Sequence, residues 1–199
     1  MAPDELADCD DALLMADTGR GGREAFAALI RRHQHAVLAI AYRFLGDRSE
    51  AEDVAQEVFL RLWGAAPRYR PDKPLPAFLR TLTVHLCLDR RRKARPLVLM
   101  DDLEPAGSQN PEAEVDAAER RRALSSALSR LPSAQRMAVV LFHMEGLSVR
   151  EVADLLETSP KAAESLLSRA RSALREGLGT ILSPQGPSPR TEGFSDPVR

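Results

Sequence analysis

At 199 residues, with 44% apolar and 29% charged side chains, the chain has the make-up of a soluble globular protein and room for one medium or two small domains. Aromatics at 5% argue against a large β-sandwich, and two cysteines cannot make a disulfide framework. The net charge of −1 conceals a segregation of the two signs along the chain, no apolar run approaches the ~20 residues of a membrane span, and the acidic start M-A-P-D-E-L-A-D lacks a signal-peptide core, so no membrane insertion and a reducing cytoplasmic compartment are expected.

Residues 4–17 carry the apolar positions of a short helix, Leu6, Leu13 and Leu14, and Asp17-Thr-Gly-Arg-Gly-Gly22 ends it with turn chemistry. Residues 23–45 predict a long amphipathic helix through Phe26, Leu29, Ile30, Val37, Ile40, Ala41 and Phe44, with Gly46 placed to stop it. Asp47-Arg48 is a short link, so the helix that follows packs antiparallel. That helix, Ser49–Trp63, opens with a capping box of Ser49 and Glu52. Ala51, Val54, Ala55, Val58, Phe59 and Leu62 form its apolar stripe, and Glu50, Glu52, Asp53, Gln56, Glu57 and Arg61 form the rest. Its acids crowd the first half, where the positive helix end tolerates them. Taken alone, such a polar face is solvated surface over a core stripe.

Prolines 67, 71 and 74 forbid a continuous helix after Trp63. Helix then resumes over about 75–94, with Leu75, Phe78, Leu79, Leu82, Leu86 and Cys87 inward. From Arg68 to Arg95 nine positive residues face only Asp72 and Asp89. The sign reverses in 96–116, which holds six acids and no lysine or arginine and is rich in turn formers, the composition of a flexible acidic linker.

A second helical block spans 117–182. Ala123, Leu124, Ala127, Leu128 and Leu131 mark one helix, broken at Pro132-Ser133. Ala138, Val139, Leu141 and Phe142 mark the next, stopped at Gly146. Ser148 and Glu151 form a capping box for a third, with Val152, Ala153, Leu155 and Leu156 as its core. Ser159 as N-cap and Pro160 at the first helical position open the last. Ser183–Arg199, with four prolines and little apolar content, is expected to be a disordered tail.

A short helix, a tight turn and a longer helix over 148–175 have the layout of a helix-turn-helix. Lys161, Ser165, Ser168, Arg169, Arg171 and Arg175 on the second helix could reach base edges and phosphates; an ordinary helical hairpin with solvated arginines has the same pattern. The basic helix of the first block is a second nucleic-acid candidate, because a positive stripe gives sequence-independent phosphate affinity. Tyr69 and Phe78 beside it could stack on unpaired bases, although Phe78 also fits the core period. No catalytic or metal constellation appears. His33-x-His35 and His85-x-Cys87 match no zinc spacing, no nucleophile motif or phosphate-cradling loop is present, and no cofactor is implied. Cys9 and Cys87 could sense redox only if exposed with lowered pKa; otherwise they are bystanders.

Three segments in order resemble the sigma factors of RNA polymerase, specifically the small extracytoplasmic-function group. Ala25-Phe26 through Gly46-Asp47 followed by A-E-D-V-A-Q-E-V-F-L-R-L-W (51–63) looks like conserved regions 2.1 and 2.2; Ala77-Phe78-Leu79 through Leu86-Cys87-Leu88-Asp89-Arg90 looks like 2.3 and 2.4; and Leu131-Pro132, Gln135-Arg136, Glu145-Gly-Leu-Ser148, Glu151-Val-Ala153 and Ser168-Arg-Ala-Arg171 look like region 4. The resemblance implies an all-α fold of two helical domains: an N-terminal segment 1–21, a region 2 bundle over 22–95, the linker 96–116, a region 4 helix-turn-helix over 117–182 and the tail 183–199. It implies that Glu50, Glu52, Asp53, Gln56, Glu57 and Arg61 bind the β′ clamp helices of core RNA polymerase. Tyr69, Phe78, Arg80, His85, Asp89, Arg90, Arg92 and Lys93 would recognise and help melt the −10 promoter element. Ser159, Lys161, Ser165, Ser168, Arg169 and Arg171 would read the −35 element, while region 4 also docks on the β flap. An anti-sigma factor is the implied inhibitor. Such a protein is no enzyme by itself; it directs promoter-specific initiation. Phe78 where the family often has tryptophan, His85 where asparagine is common, and Ala163-Glu164-Ser165-Leu166 for the frequent Val-Lys-Ser-Arg depart from the pattern and bear on which promoter is read. The competing reading is a stand-alone helix-turn-helix regulator, which has no need of an acidic helix beside a basic one.

Overall fold

The computed structural model describes residues 9–70, 74–93 and 123–178. Among them the regular structure is helical, with no strand. The first block holds α1 (Asp11–Gly19), α2 (Arg23–Leu45), α3 (Arg48–Ala65), a 3-10 turn (Ala66–Arg68) and α4 (Leu75–Lys93). The second holds α5 (residues 123–129), α6 (Ser133–Val139) running into a π-helical turn (Val140–Met144), α7 (Val149–Leu155) and α8 (Pro160–Leu178). The expected linker 96–116 and tail 183–199 lie outside the described residues.

Local chemistry sets the joints. Gly46 stops α2 in the left-handed region at φ 77°, its N–H donating to the Tyr42 carbonyl at 2.8 Å. That turn leaves Asp47 extended, and its carboxylate accepts from the Glu50 N–H at 2.7 Å. The expected cap of α3 at Ser49 is therefore corrected: Asp47, two residues earlier, already takes the orphan donor, and the helix begins at Arg48. The second capping box forms as read, with Ser148 and Glu151 bonding reciprocally, and Ser159 Oγ accepts from the Ala162 N–H at 3.2 Å.

α1 runs to Gly19, past the turn expected at Asp17, and its core residues are Leu14 and Met15, whereas Leu13 is 63% exposed. Thr18 supports the extra turn by donating to the Leu14 carbonyl at 2.7 Å inside the core. Gly19 is required there, because a Cβ would stand 2.8 Å from the Ala66 carbonyl oxygen of the 3-10 turn. Asp11 ties α1 to α2, accepting from Arg32 at 2.6 Å and meeting His33 Nε2 at 2.9 Å.

α2 and α3 pack as the central pair, with α4 against both. Leu29, Val37, Phe44, Val58, Leu62, Val84 and Cys87 are fully buried between them. In the second block Met137, Leu141, Val152, Ala163, Leu167, Ala170 and Leu174 form the seam joining α6, α7 and α8. The apolar cluster is continuous across the two blocks.

Candidate nucleic-acid and partner interfaces

The polar residues of α3 form two surfaces. Glu50, Asp53, Glu57 and Arg61 recur at three- and four-residue spacing on one side of the buried stripe; Glu52, Gln56 and Leu60 lie on the other. The first side turns toward α4: Arg90 Nη2 donates to Asp53 at 2.7 Å and Arg90 Nε stands 3.9 Å from Glu50. Two expected polymerase-binding acids and one expected DNA-binding arginine thus form a single ionic group. Glu57 pairs along the helix with Arg61 at 2.8 Å, as Glu52 does with Arg48 at 2.9 Å.

The second side opens on a groove of about 670 Å³ between α2 and α3. Phe26, Ile30, Leu38, Ala55, Phe59 and Leu60 line it, and Gln34, His35, Glu52 and Gln56 rim it. Leu60 is 67% exposed. Trp63 lies edge-on to Phe26, ring centroids 4.9 Å apart, and extends the apolar surface. Sequence periodicity assigns Phe26, Ile30 and Ala55 to the core; in the fold they are only half-buried, because no helix of the described residues covers that flank. The signal available in the sequence was an apolar stripe on α2 wider than one neighbour can bury. Leu38 and Leu60 fell outside the expected set altogether.

On α4, Phe78 is half-buried and edge-on to Tyr69, with centroids 5.8 Å apart, so both aromatics are engaged within the protein. Thr83 and Val84 are buried where Leu82 was expected to be, since the helix turns its Thr83 Oγ1 inward to donate to the Leu79 carbonyl at 2.7 Å. Asp89 accepts from Arg92 at 3.3 Å, Arg91 is half-buried, and Arg92 and Lys93 are exposed. His85 Nε2 stands 3.5 Å from Glu157 of the second block. Arg80 lies close enough to Glu151 to help hold that carboxyl below its ordinary pKa, although the hydrogen bonds from Ser148 are the main cause. Cys87 is fully buried and burial pushes its thiol up to about 12, which removes it as a redox sensor in the folded chain.

α8 keeps Ala163, Leu167, Ala170 and Leu174 on its buried seam, and Lys161, Glu164, Ser168, Arg169, Arg171 and Arg175 are exposed around it. Ser165 is half-buried. Ser159 caps α8 through its hydroxyl. Glu157 between α7 and α8 adopts φ 51°, a left-handed turn residue that lets the two helices meet at an angle. Arg171 and burial, burial first, hold His143 below its ordinary pKa.

The sigma-70 region 2 family model matches residues 29–96, and the sigma-70 region 4 model matches residues 121–174. The extracytoplasmic-function RNA polymerase sigma factor SigM of Mycobacterium tuberculosis is 33% identical over 173 residues, covering 86% of each chain. The RNA polymerase sigma factor CnrH of Cupriavidus metallidurans is 31% identical over 175 residues, 82% of this chain and 92% of that one. A structure of CnrH in complex with the cytosolic domain of CnrY has a TM-score of 0.58 at 29% identity, covering 83% of this chain and 95% of that one. The sigma factor RpoE solved with the anti-sigma factor NepR from Bartonella quintana shares the fold, with a TM-score of 0.61 at 22% identity over 79% of this chain and 98% of that one.

Proposed function

Because the chain belongs to the extracytoplasmic-function group of the sigma-70 family, and as such binds core RNA polymerase and directs promoter-specific initiation, we propose how its surfaces divide that work. The first block, 22–95, docks on core polymerase and handles the −10 element; the second, 117–182, reads the −35 element.

The polymerase-docking surface is the α2–α3 groove with its rim. Glu52 and Gln56 belong to it directly, together with Ile30, Leu38 and Leu60. Glu57 and Arg61 extend it as a charged margin, which contributes steering and specificity more than affinity. Glu50 and Asp53 act at one remove, by holding Arg90 against the bundle. The observation that supports this most is the groove itself: an open apolar trough lined from two helices is the shape that receives an amphipathic helix.

The −10 surface is α4. Arg80, His85, Arg90, Arg92 and Lys93 supply phosphate contacts, Asp89 orients Arg92, and Tyr69 with Phe78 offers a stacking edge. The −35 surface is the exposed side of α8, where Lys161, Ser165, Ser168, Arg169 and Arg171 face the major groove and Ser159 holds the helix start. An anti-sigma factor regulates the chain.

The test is reconstitution. Purified core polymerase with this chain initiates at a cognate promoter and core alone does not; failure to bind core where a control sigma factor binds overturns the assignment. Glu52→Arg is the cleaner probe of docking than Asp53→Arg, because reversing Asp53 also sets two arginines against each other beside the DNA surface.

A further inference from the structure

α8 carries an acid in the middle of a surface that is otherwise cationic or neutral. Lys161, Glu164, Ser168, Arg171 and Arg175 recur at three- and four-residue spacing, and all are exposed; they form one stripe beside the buried seam of Ala163, Leu167, Ala170 and Leu174. Between Lys161 and Arg175, Glu164 is the single acid. Neither ordinary reason for an acid on a helix accounts for it. The helix begins at Pro160 with no acid in its first turn, and Glu164 stands at the fifth helical position, past the reach of the positive helix end. Intrahelical ion pairs do form in this protein, Arg48 with Glu52, Arg61 with Glu57 and Arg92 with Asp89. Glu164 has Lys161 three residues before it and Ser168 four after, yet among the described residues it makes no ion pair and no hydrogen bond. Its carboxylate is held out, unpartnered, in the early part of the second helix of a helix-turn-helix, the part that meets base edges.

A carboxylate in that place is not neutral in effect. Facing phosphates, it repels them and lowers affinity for every sequence. Facing base edges in the major groove, it can only accept hydrogen bonds, and the donors there are the amino groups of cytosine and adenine. The adenine amino group lies beside the N7 acceptor, a pairing that suits an amide and repels a second carboxylate oxygen. Guanine presents O6 and N7 and thymine presents O4, all acceptors. Cytosine alone offers a donor with no acceptor beside it.

We propose that Glu164 is a base-reading residue of the −35 surface, which selects cytosine at the base pair it faces and disfavours the other bases through their acceptor atoms. The inference rests on the reading of α8 as the −35 surface. Lys161, Arg169 and Arg171 supply the affinity on this account, and Glu164 turns part of it into discrimination, because it subtracts binding from every sequence except its match.

The test uses the full chain assembled with core polymerase, on one promoter that the holoenzyme uses, randomised through its −35 region. Bound duplexes are selected and sequenced for wild type, Glu164→Gln and Glu164→Arg, with capture on core polymerase measured alongside. Wild type is expected to show one position where cytosine is enriched about tenfold over the other bases. Glu164→Gln loses that enrichment and gains adenine at the same position, Glu164→Arg replaces it with guanine, and the remaining positions and core capture stay as they were. A base profile that both variants leave unchanged overturns the proposal, including the case where both simply bind every duplex more tightly, since the acid then only repels phosphate. Loss of core capture in the variants also overturns it, because Glu164 then faces polymerase. If wild type selects at other positions but nowhere for cytosine, the role of Glu164 fails alone. If it selects no sequence in the −35 region at all, the reading of α8 fails and takes this inference with it.

Discussion

The two flanks of the first bundle meet their surroundings in opposite ways. On the α2–α3 flank, apolar side chains line an open groove; on the other flank the second block makes charged contacts, Glu145 with Arg43 of α2 and Glu157 beside His85 of α4, while Arg92 and Lys93 stay exposed. A protein that buried apolar surface wherever it could would reverse this. The second block meets the charged flank, and no helix of the described residues covers the apolar one, which the proposed function assigns to core polymerase. The hydrophobic driving force grows roughly with the apolar area buried, whereas contacts between exposed charges weaken as salt is added.

The largest expected effect tests whether the flanks share one support. Phe44 is fully buried in the first core and also lies beneath Arg136. Phe44→Ala is expected to cost about 3–5 kcal/mol in denaturant unfolding and to loosen the contact between the blocks as well. A loss under ~1 kcal/mol would mean that the site collapses freely and the two blocks are not coupled through it.

Arg136→Met keeps an unbranched apolar stem on Phe44 and removes the buried charge. The folded chain should gain about 1–4 kcal/mol by replacing an unsatisfied ion with apolar volume. Loss of stability in the same assay would show that the contact of the guanidinium with the Phe44 ring outweighs the cost of burying the charge.

Leu60→Glu sharpens the contrast from the other flank. Leu60 is two-thirds exposed, so unfolding free energy should stay within about 0.5 kcal/mol. Affinity for core polymerase should fall at least tenfold, about 1.4 kcal/mol, with DNA binding by the free chain unchanged. Titration of core polymerase against labelled protein checks it.

The smallest effect concerns the joint of the helix-turn-helix. Ser148→Ala removes half of a capping box and should cost about 1 kcal/mol. Because the Ser148 hydrogen bonds lower the Glu151 pKa, their contribution is present above the ordinary glutamate range and is lost as pH falls through the lowered folded value. The part of the difference between wild type and Ser148→Ala that comes from the Ser148 hydroxyl donating to the Glu151 carboxylate should therefore shrink on acidification, while the part from Ser148 Oγ accepting the Glu151 N–H remains; a difference wholly unchanged at low pH would show that the hydroxyl–carboxylate bond contributes nothing.

Much of the fold was legible because its signals are local. The α2–α3 pair, Gly46 as its stop, the Ser148–Glu151 box and the Ser159-Pro160 start all follow from residues a few positions apart. The α3 cap was misread for the same reason: Ser49 and Glu52 match the pattern, but Asp47 stands closer to the turn that Gly46 makes. The polar residues of α3 were legible as a surface, but not as two surfaces. Their division depends on which neighbour each side meets.

Sequence by itself determined the family, the all-α class and the alternation of acidic and basic segments, since periodicity, capping and charge runs are written in neighbouring residues. Tertiary structure alone decided which apolar residues stay uncovered and which charges meet. Phe26, Ile30 and Ala55 carry the periodicity of core residues, yet they line a groove because no third helix of the described residues arrives there. Arg43 and Glu145 are 102 positions apart, and no local pattern pairs them. The physical reason is common to both: burial and ion pairing are properties of the space between elements, and that space exists only after the elements have packed.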